Sequence, residues 1–148
     1  MKTEELLFTE SVGEAEISLI VNKLKKLLIS NSILLLEGEV AAGKTTLTRY
    51  LGESYSLPIV QSPTYAIHQR YQNSQICIDH LDLYRLRNED EVETSGLWDL
   101  MNEKNNLIVI EWAERLPEDW FPLDRKVFKL KINLDTDHSR TYSLFELS

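Results

Sequence analysis

Cysteine is almost missing from this chain of 148 residues: Cys77 is the single thiol, so an internal disulfide is excluded and a reducing compartment suits the protein. Its setting, Ile76-Cys77-Ile78, predicts a buried and inert side chain. Four prolines and five glycines are too few for a linker or low-complexity tract, and no repeat divides the chain. One domain over 1–148 is therefore expected. Long apolar runs are lacking too; stretches such as Ile33 to Leu36 fall far short of the ~20 residues needed to span a bilayer, so no membrane association is expected. The start, Met1-Lys2-Thr3-Glu4-Glu5, has no apolar segment behind a basic one, which argues against a secretory leader and for a cytoplasmic location.

Positive charge is scarce as well. Sixteen Lys and Arg against 24 Asp and Glu leave a net charge of −8. Such a surface repels phosphodiester backbone, so independent binding of DNA or RNA is disfavoured. Lys23, Lys25 and Lys26, and again Arg125, Lys126, Lys129 and Lys131, read as solvated faces of a helix and a strand rather than a nucleic-acid track. An acidic body can still dock on a basic patch of a partner protein.

What the chain does have is Gly38-Glu39-Val40-Ala41-Ala42-Gly43-Lys44-Thr45, a fit to G-x-x-x-x-G-K-[ST]. Ile33 to Leu36 before it reads as a buried strand, and Thr45 to Tyr55 after it reads as a helix. Glycines at 38 and 43 let the backbone turn tightly and come close to phosphates. The amides between them, with a helix N-terminus behind, make a concave anion site. Lys44 is expected to reach the β- and γ-phosphates of a nucleoside triphosphate, and the Thr45 hydroxyl to bind Mg²⁺.

Elsewhere, Leu6-Leu7-Phe8 suggests an edge strand, and Ser11 with Glu14 matches a capping box opening a helix through Ile17, Ile20, Val21, Leu24, Leu27 and Leu28. Tyr65 to Tyr71 looks extended, Gln75 to Asp82 and Leu107 to Ile110 read as buried strands, and Glu89 to Leu100 as a helix broken near Gly96. Val127 to Leu134 and Thr141 to Leu147 alternate like an antiparallel pair. The pattern predicts an α/β fold of the P-loop NTPase kind. It would be a three-layer sandwich with a largely parallel central sheet and antiparallel C-terminal strands. Ligands of such sheets bind at the carboxyl ends of the strands, here Gly38, Asp82 and Glu111.

Asp82 and Glu111 each end an apolar strand, and either can hold the metal or orient an attacking water. Trp112 can stack on a base or cap the core. His80 can satisfy a local hydrogen bond or act as acid or ligand. Ser62-Pro63-Thr64 lies where γ-phosphate-sensing loops occur, but a simple turn explains it too.

The phosphate loop followed by Thr46, then Ser62-Pro63-Thr64-Tyr65, then His80-Leu81-Asp82-Leu83-Tyr84-Arg85-Leu86, then Ile110-Glu111-Trp112, occur in one order and spacing. Together they resemble the TsaE family, small bacterial ATPases of tRNA threonylcarbamoyladenosine (t6A) biosynthesis. The resemblance runs from about Ser11 to Arg115. It implies an ATPase, weak alone and stimulated by partners, that acts with the TsaD and TsaB proteins. With them it would support multiple turnover in threonylcarbamoyl transfer to the adenosine beside the anticodon of tRNAs reading ANN codons, meeting tRNA only through the complex.

By that resemblance the ATP contacts are Gly38, Glu39, Val40, Ala41, Ala42, Gly43, Lys44, Thr45, Thr46, Thr64 and Trp112. Thr45 and Glu111 would hold Mg²⁺, while Lys44, Thr46 and Asp82 would serve hydrolysis. The chain departs from the family at Glu39-Val40-Ala41, where Asp-Leu-Gly is usual, at Ala66, and at Ala113 in place of a frequent proline. A GTPase is disfavoured because Asn102-Glu103-Lys104-Asn105 does not make N-K-x-D. The rival reading is a small-molecule or nucleoside kinase, for which Arg85 and Arg87 are available but little chain remains to build a lid.

Overall fold

The computed structural model describes residues 3–29, 31–39, 42–58, 68–84, 91, 96–113, 116, 121–136 and 138–148. In chain order the elements are β1 (Glu4–Val12), a 3-10 turn (Glu14–Glu16), α1 (Ile17–Leu27), β2 (Ile33–Glu37), α2 (Lys44–Ser54), β3 (His68–Gln72), β4 (Cys77–Asp82), α3 (Leu97–Asn102), β5 (Leu107–Glu111), β6 (Val127–Thr136) and β7 (Ser139–Leu147).

All seven strands join one sheet in the order β1-β7-β6-β2-β5-β4-β3. The middle four, β6, β2, β5 and β4, run parallel. Both edges turn antiparallel: β7 and β1 beyond β6, and β3 beyond β4. The expected C-terminal antiparallel pair is present. Its first strand also completes the parallel core, through Leu34↔Phe128 and Leu36↔Leu130.

Alternation along the central strands divides the core into two. Leu34 and Leu36 of β2 and Leu107 and Val109 of β5 face Ile20, Leu24, Leu47 and Leu51 of α1 and α2. Ile33, Leu35, Ile108 and Ile110 face Leu97, Leu100 and Met101 of α3. A strand apolar at every position is thus buried on both faces, the mark of a parallel strand between helical layers. Among the described residues no helix is long and apolar enough to cross a membrane.

Three expectations change. The capping box does not form: Ser11 belongs to β1, whose ladder with β7 runs on to Val12↔Arg140, and its hydroxyl bonds Asp135 instead. The chain then enters α1 through Gly13 and the 3-10 turn, with no side-chain cap. Cys77 is half-buried rather than enclosed, because it opens β4 beside the edge strand β3. Burial, with Asp79 nearby, still pushes its thiol up and keeps it protonated. Arg125 is no solvated cation; it is 6% exposed and donates to the carbonyls of Met101, Leu100, Glu103 and Asn106. Tyr65 to Ile67, Ser62-Pro63-Thr64, Arg85 and Arg87 lie outside the described residues.

Candidate phosphate-binding site

Gly43 precedes α2 with φ +105°, a left-handed conformation that favours glycine and brings the first turn of the helix up against the strand ends. Gly38 is required for a different reason from the one its pattern suggests. A Cβ there would meet the Ile132 carbonyl of β6 at 2.8 Å and the Ala42 Cβ at 3.1 Å. At Gly38 the bend after β2 is therefore pressed against β6.

Beyond the bend lies a cleft of about 420 Å³ lined by Gly43, Lys44, Thr45, Thr46, Asp82, Tyr84, Glu111, Trp112 and Arg140. Lys44 is 6% exposed. Its ammonium donates to the Gly38 carbonyl at 2.7 Å and stands 3.7 Å above the Trp112 ring. Trp112 holds that position through a left-handed backbone, φ 62°, an uncommon state for a bulky residue and one concentrated at functional sites. Tyr84 packs on the same indole, centroid to centroid 4.9 Å.

Three acidic or basic groups of β4 and β5 share the α2 side of the sheet. Asp82 and Glu111 are direct register partners, and His80 lies two residues before Asp82. The Thr45 hydroxyl is 3.3 Å from Glu111 Oε2 and 3.5 Å from Oε1. His80 Nε2 is 2.6 Å from Glu111 Oε2. Asp82 accepts the Tyr84 amide at 3.0 Å. Burial pushes the Asp82 carboxyl above the usual carboxylate range, and the neighbouring charge of Glu111 adds to it, against the Tyr84 hydrogen bond.

The donor set suits a hard divalent cation. Thr45, Glu111 and Asp82 offer only oxygens, and Mg²⁺ is commonly held by one or two carboxylates with waters and phosphates completing the shell. Among the described residues no group of three or more His, Cys, Asp or Glu makes a self-sufficient metal site. Phosphate oxygens of a ligand at the α2 N-terminus would complete the shell of such a cation.

The family model described as "Threonylcarbamoyl adenosine biosynthesis protein TsaE" matches residues 12–142. The chain belongs to the TsaE family. Similar curated proteins, each named tRNA threonylcarbamoyladenosine biosynthesis protein TsaE, include one from Nostoc sp., 39% identical over 94 residues, 61% of this chain and 57% of that protein. One from Rickettsia conorii is 38% identical over 107 residues, 69% of this chain and 58% of that protein. One from Bacillus subtilis is 34% identical over 112 residues, 75% and 68% of the two chains. The chain thus spans less than two thirds of the length of the first two. The crystal structure of YdiB from Bacillus subtilis superposes with a TM-score of 0.71 over 100% of this chain and 88% of that one, at 21% identity, which bears on the fold alone.

Of the residues that the TsaE resemblance assigned to nucleotide, metal or hydrolysis, Gly43, Lys44, Thr45, Thr46, Asp82, Glu111 and Trp112 line the one cleft. Gly38 and Glu39 instead border a neighbouring recess of about 330 Å³ on the other side of Trp112, with Glu37, Lys131 and Asn133. Ala42 is buried in the core. Val40, Ala41 and Thr64 lie outside the described residues. Trp112 packs on the α3-side core and also lines the cleft.

Sequence reasoning missed Arg140 and gave Tyr84 no role. Arg140 comes from β7 and donates through Nε to the Ala42 carbonyl at 2.7 Å, bracing the loop next to Gly43. It lies 98 positions from Ala42, so no local motif could announce it.

Proposed function

We propose that this chain is the ATP-hydrolysing subunit of a bacterial t6A apparatus. With TsaD and TsaB it would support repeated threonylcarbamoyl transfer to adenosine 37 of tRNAs reading ANN codons. The observation that carries the reading is a conjunction: the α2 N-terminus with Lys44 and Thr45 shares one cleft with Asp82 and Glu111, the carboxylates that end two adjacent parallel strands. Family membership and relatives named for tRNA threonylcarbamoyladenosine biosynthesis support it.

In that cleft a magnesium–triphosphate supplies a phosphoanhydride bond to break and a cation to offset its charge. The chain's own groups do the rest. The α2 amides and Lys44 bind phosphate oxygens, Lys44 leaving the Gly38 carbonyl to reach them. Thr45 and Glu111, whose side-chain oxygens approach to 3.3 Å, would hold the cation. Thr46 lies at the phosphates, and Asp82 orients the attacking water or accepts its proton. The Trp112 indole, already a platform for a cation, offers its face to the base. No membrane or DNA contact is part of this reading, a cytoplasmic location is, and tRNA is met through the partners.

The test is reconstitution of t6A on tRNA with TsaD and TsaB, with and without this chain, scoring turnovers per TsaD. We expect one or few turnovers without it and many with it, accompanied by phosphate release. Equal turnover in both arms, or transfer of the phosphate to an added small-molecule acceptor, would reject the proposal.

A further inference from the structure

His80 is fully buried in the middle of β4, and sequence alone leaves its role open. Its Nε2 is 2.6 Å from Glu111 Oε2, and its Nδ1 is one of two buried side-chain polar atoms without a partner among the described residues. A histidine kept for packing or folding alone would be expected to satisfy both nitrogens. This ring satisfies one, and that one points at the carboxylate.

The geometry also selects the donating nitrogen. An ionised Glu111 can only accept, so the hydrogen between them belongs to Nε2, which donates it. Glu111 is 3% exposed, and among the described residues its carboxylate otherwise meets only the Thr45 hydroxyl, at the long limit of hydrogen bonding. Without His80 nothing short holds its carboxylate in one rotamer.

We propose that His80 is the positioning residue of Glu111. It engages Oε2 from β4 and thereby fixes the carboxylate in the rotamer that keeps both its oxygens near the Thr45 hydroxyl, where a divalent cation would be held. The inference rests on the magnesium–triphosphate reading of the cleft. It assigns His80 neither to metal ligation nor to proton transfer: the ring works through Glu111, as partners behind metal ligands do elsewhere, where their loss weakens metal affinity ~10–100-fold.

The experiment is calorimetry of a non-hydrolysable ATP analogue on the full chain, in magnesium and in EDTA, for wild type, His80→Leu and His80→Gln. The leucine variant should lose ~10–100-fold of the tightening that magnesium gives, with EDTA affinity unchanged. The glutamine variant, which carries an N–H donor at a similar reach, should recover most of it. If leucine does not fold, His80→Asn, whose amide falls short of Oε2, carries the same expected loss. Full magnesium tightening in the leucine or asparagine variant overturns the proposal. So does an equal loss in EDTA, or a glutamine variant no better than leucine. Wild type that binds the analogue with no help from magnesium would instead reject the cation reading of the cleft, and the His80 proposal with it.

Discussion

Two carboxylates sit fully or almost fully buried on neighbouring strands and are treated in opposite ways. Asp79 of β4 is saturated: Oδ1 meets His68 at 2.8 Å and Arg70 Nε at 2.7 Å, while Oδ2 meets Arg70 at 3.1 Å and Asn106 at 2.8 Å. Asn106 in turn accepts Arg125 at 2.6 Å, so the network ties β3, β4 and the start of β5 to the end of α3. Glu111, at the other end of β5, has one short partner, His80, and a distant hydroxyl. One sheet thus closes its amino end with complementary groups and leaves its carboxyl end short of them. Saturated polar networks hold a fold in one arrangement, whereas a carboxylate with spare valence is available to a ligand.

The sharpest way to break this contrast is at the open end. Lys44→Ala removes the ammonium at the α2 N-terminus, leaving Arg140 in the cleft, and should lower ATP turnover by at least ~100-fold, the usual scale for losing a preorganised electrostatic contact. Thermal stability should change little, because the group lost stands at the cleft and its partners there, the Gly38 carbonyl and the Trp112 face, can take water. Turnover rates beside a melting curve check both halves. Unimpaired turnover would end the phosphate-loop assignment.

At the closed end the effects should reverse, with stability falling. Asp79→Ala strands the buried Asn106 amide and the Arg70 and His68 donors, and should destabilise by about 3 kcal/mol, the low end for breaking a buried ion pair because Arg70 and His68 can turn toward solvent. Urea titration measures this. Nucleotide binding should survive in the fraction that folds.

The same carboxylate gives a pH signature. Burial alone would push Asp79 up, but His68, Arg70 and Asn106 together hold it well below the usual carboxylate range. A depressed folded-state value contributes stability that is fully present above the ordinary Asp value of about 3.9 and is lost as pH falls below it. The gap in stability between wild type and Asp79→Asn should therefore be constant near neutrality and narrow below about pH 4. A gap independent of pH down to 3 would mean the network is not electrostatic.

The contrast also separates what the residues disclosed from what they hid. The open end was legible because its chemistry is local: Gly43-Lys44-Thr45 are consecutive, and Glu111 and Asp82 each end an apolar run. The closed end was not, since Asp79, Asn106 and Arg125 meet only through strand register, and Arg125 sits in a basic cluster that reads as solvated. Arg140 was hidden for the same reason, reaching the loop from the last strand. The Ser11 cap failed through competition, its backbone being claimed by a β-ladder that local pattern cannot foresee. His80 was visible but undecidable, because alternation gives it a face of β4 without saying that Glu111 lies diagonally across.

Trp112 follows Glu111 at the open end and offers the finest test of the cleft there. Its ring packs on the α3-side core and also lines the cleft under Lys44 and beside Tyr84. If the base stacks there, Trp112→Ala should weaken ATP binding by about 1–2 kcal/mol, within the range for base–aromatic stacking. A core role alone would leave affinity untouched and destabilise the fold by ~3–5 kcal/mol, as large-to-small core substitutions do. Trp112→Phe separates the two, since it keeps an aromatic face and most of the apolar contact. Its affinity should fall by less than that of the alanine variant. Alanine and phenylalanine variants binding ATP as tightly as wild type would return the indole to the core and leave the base to be held by other residues.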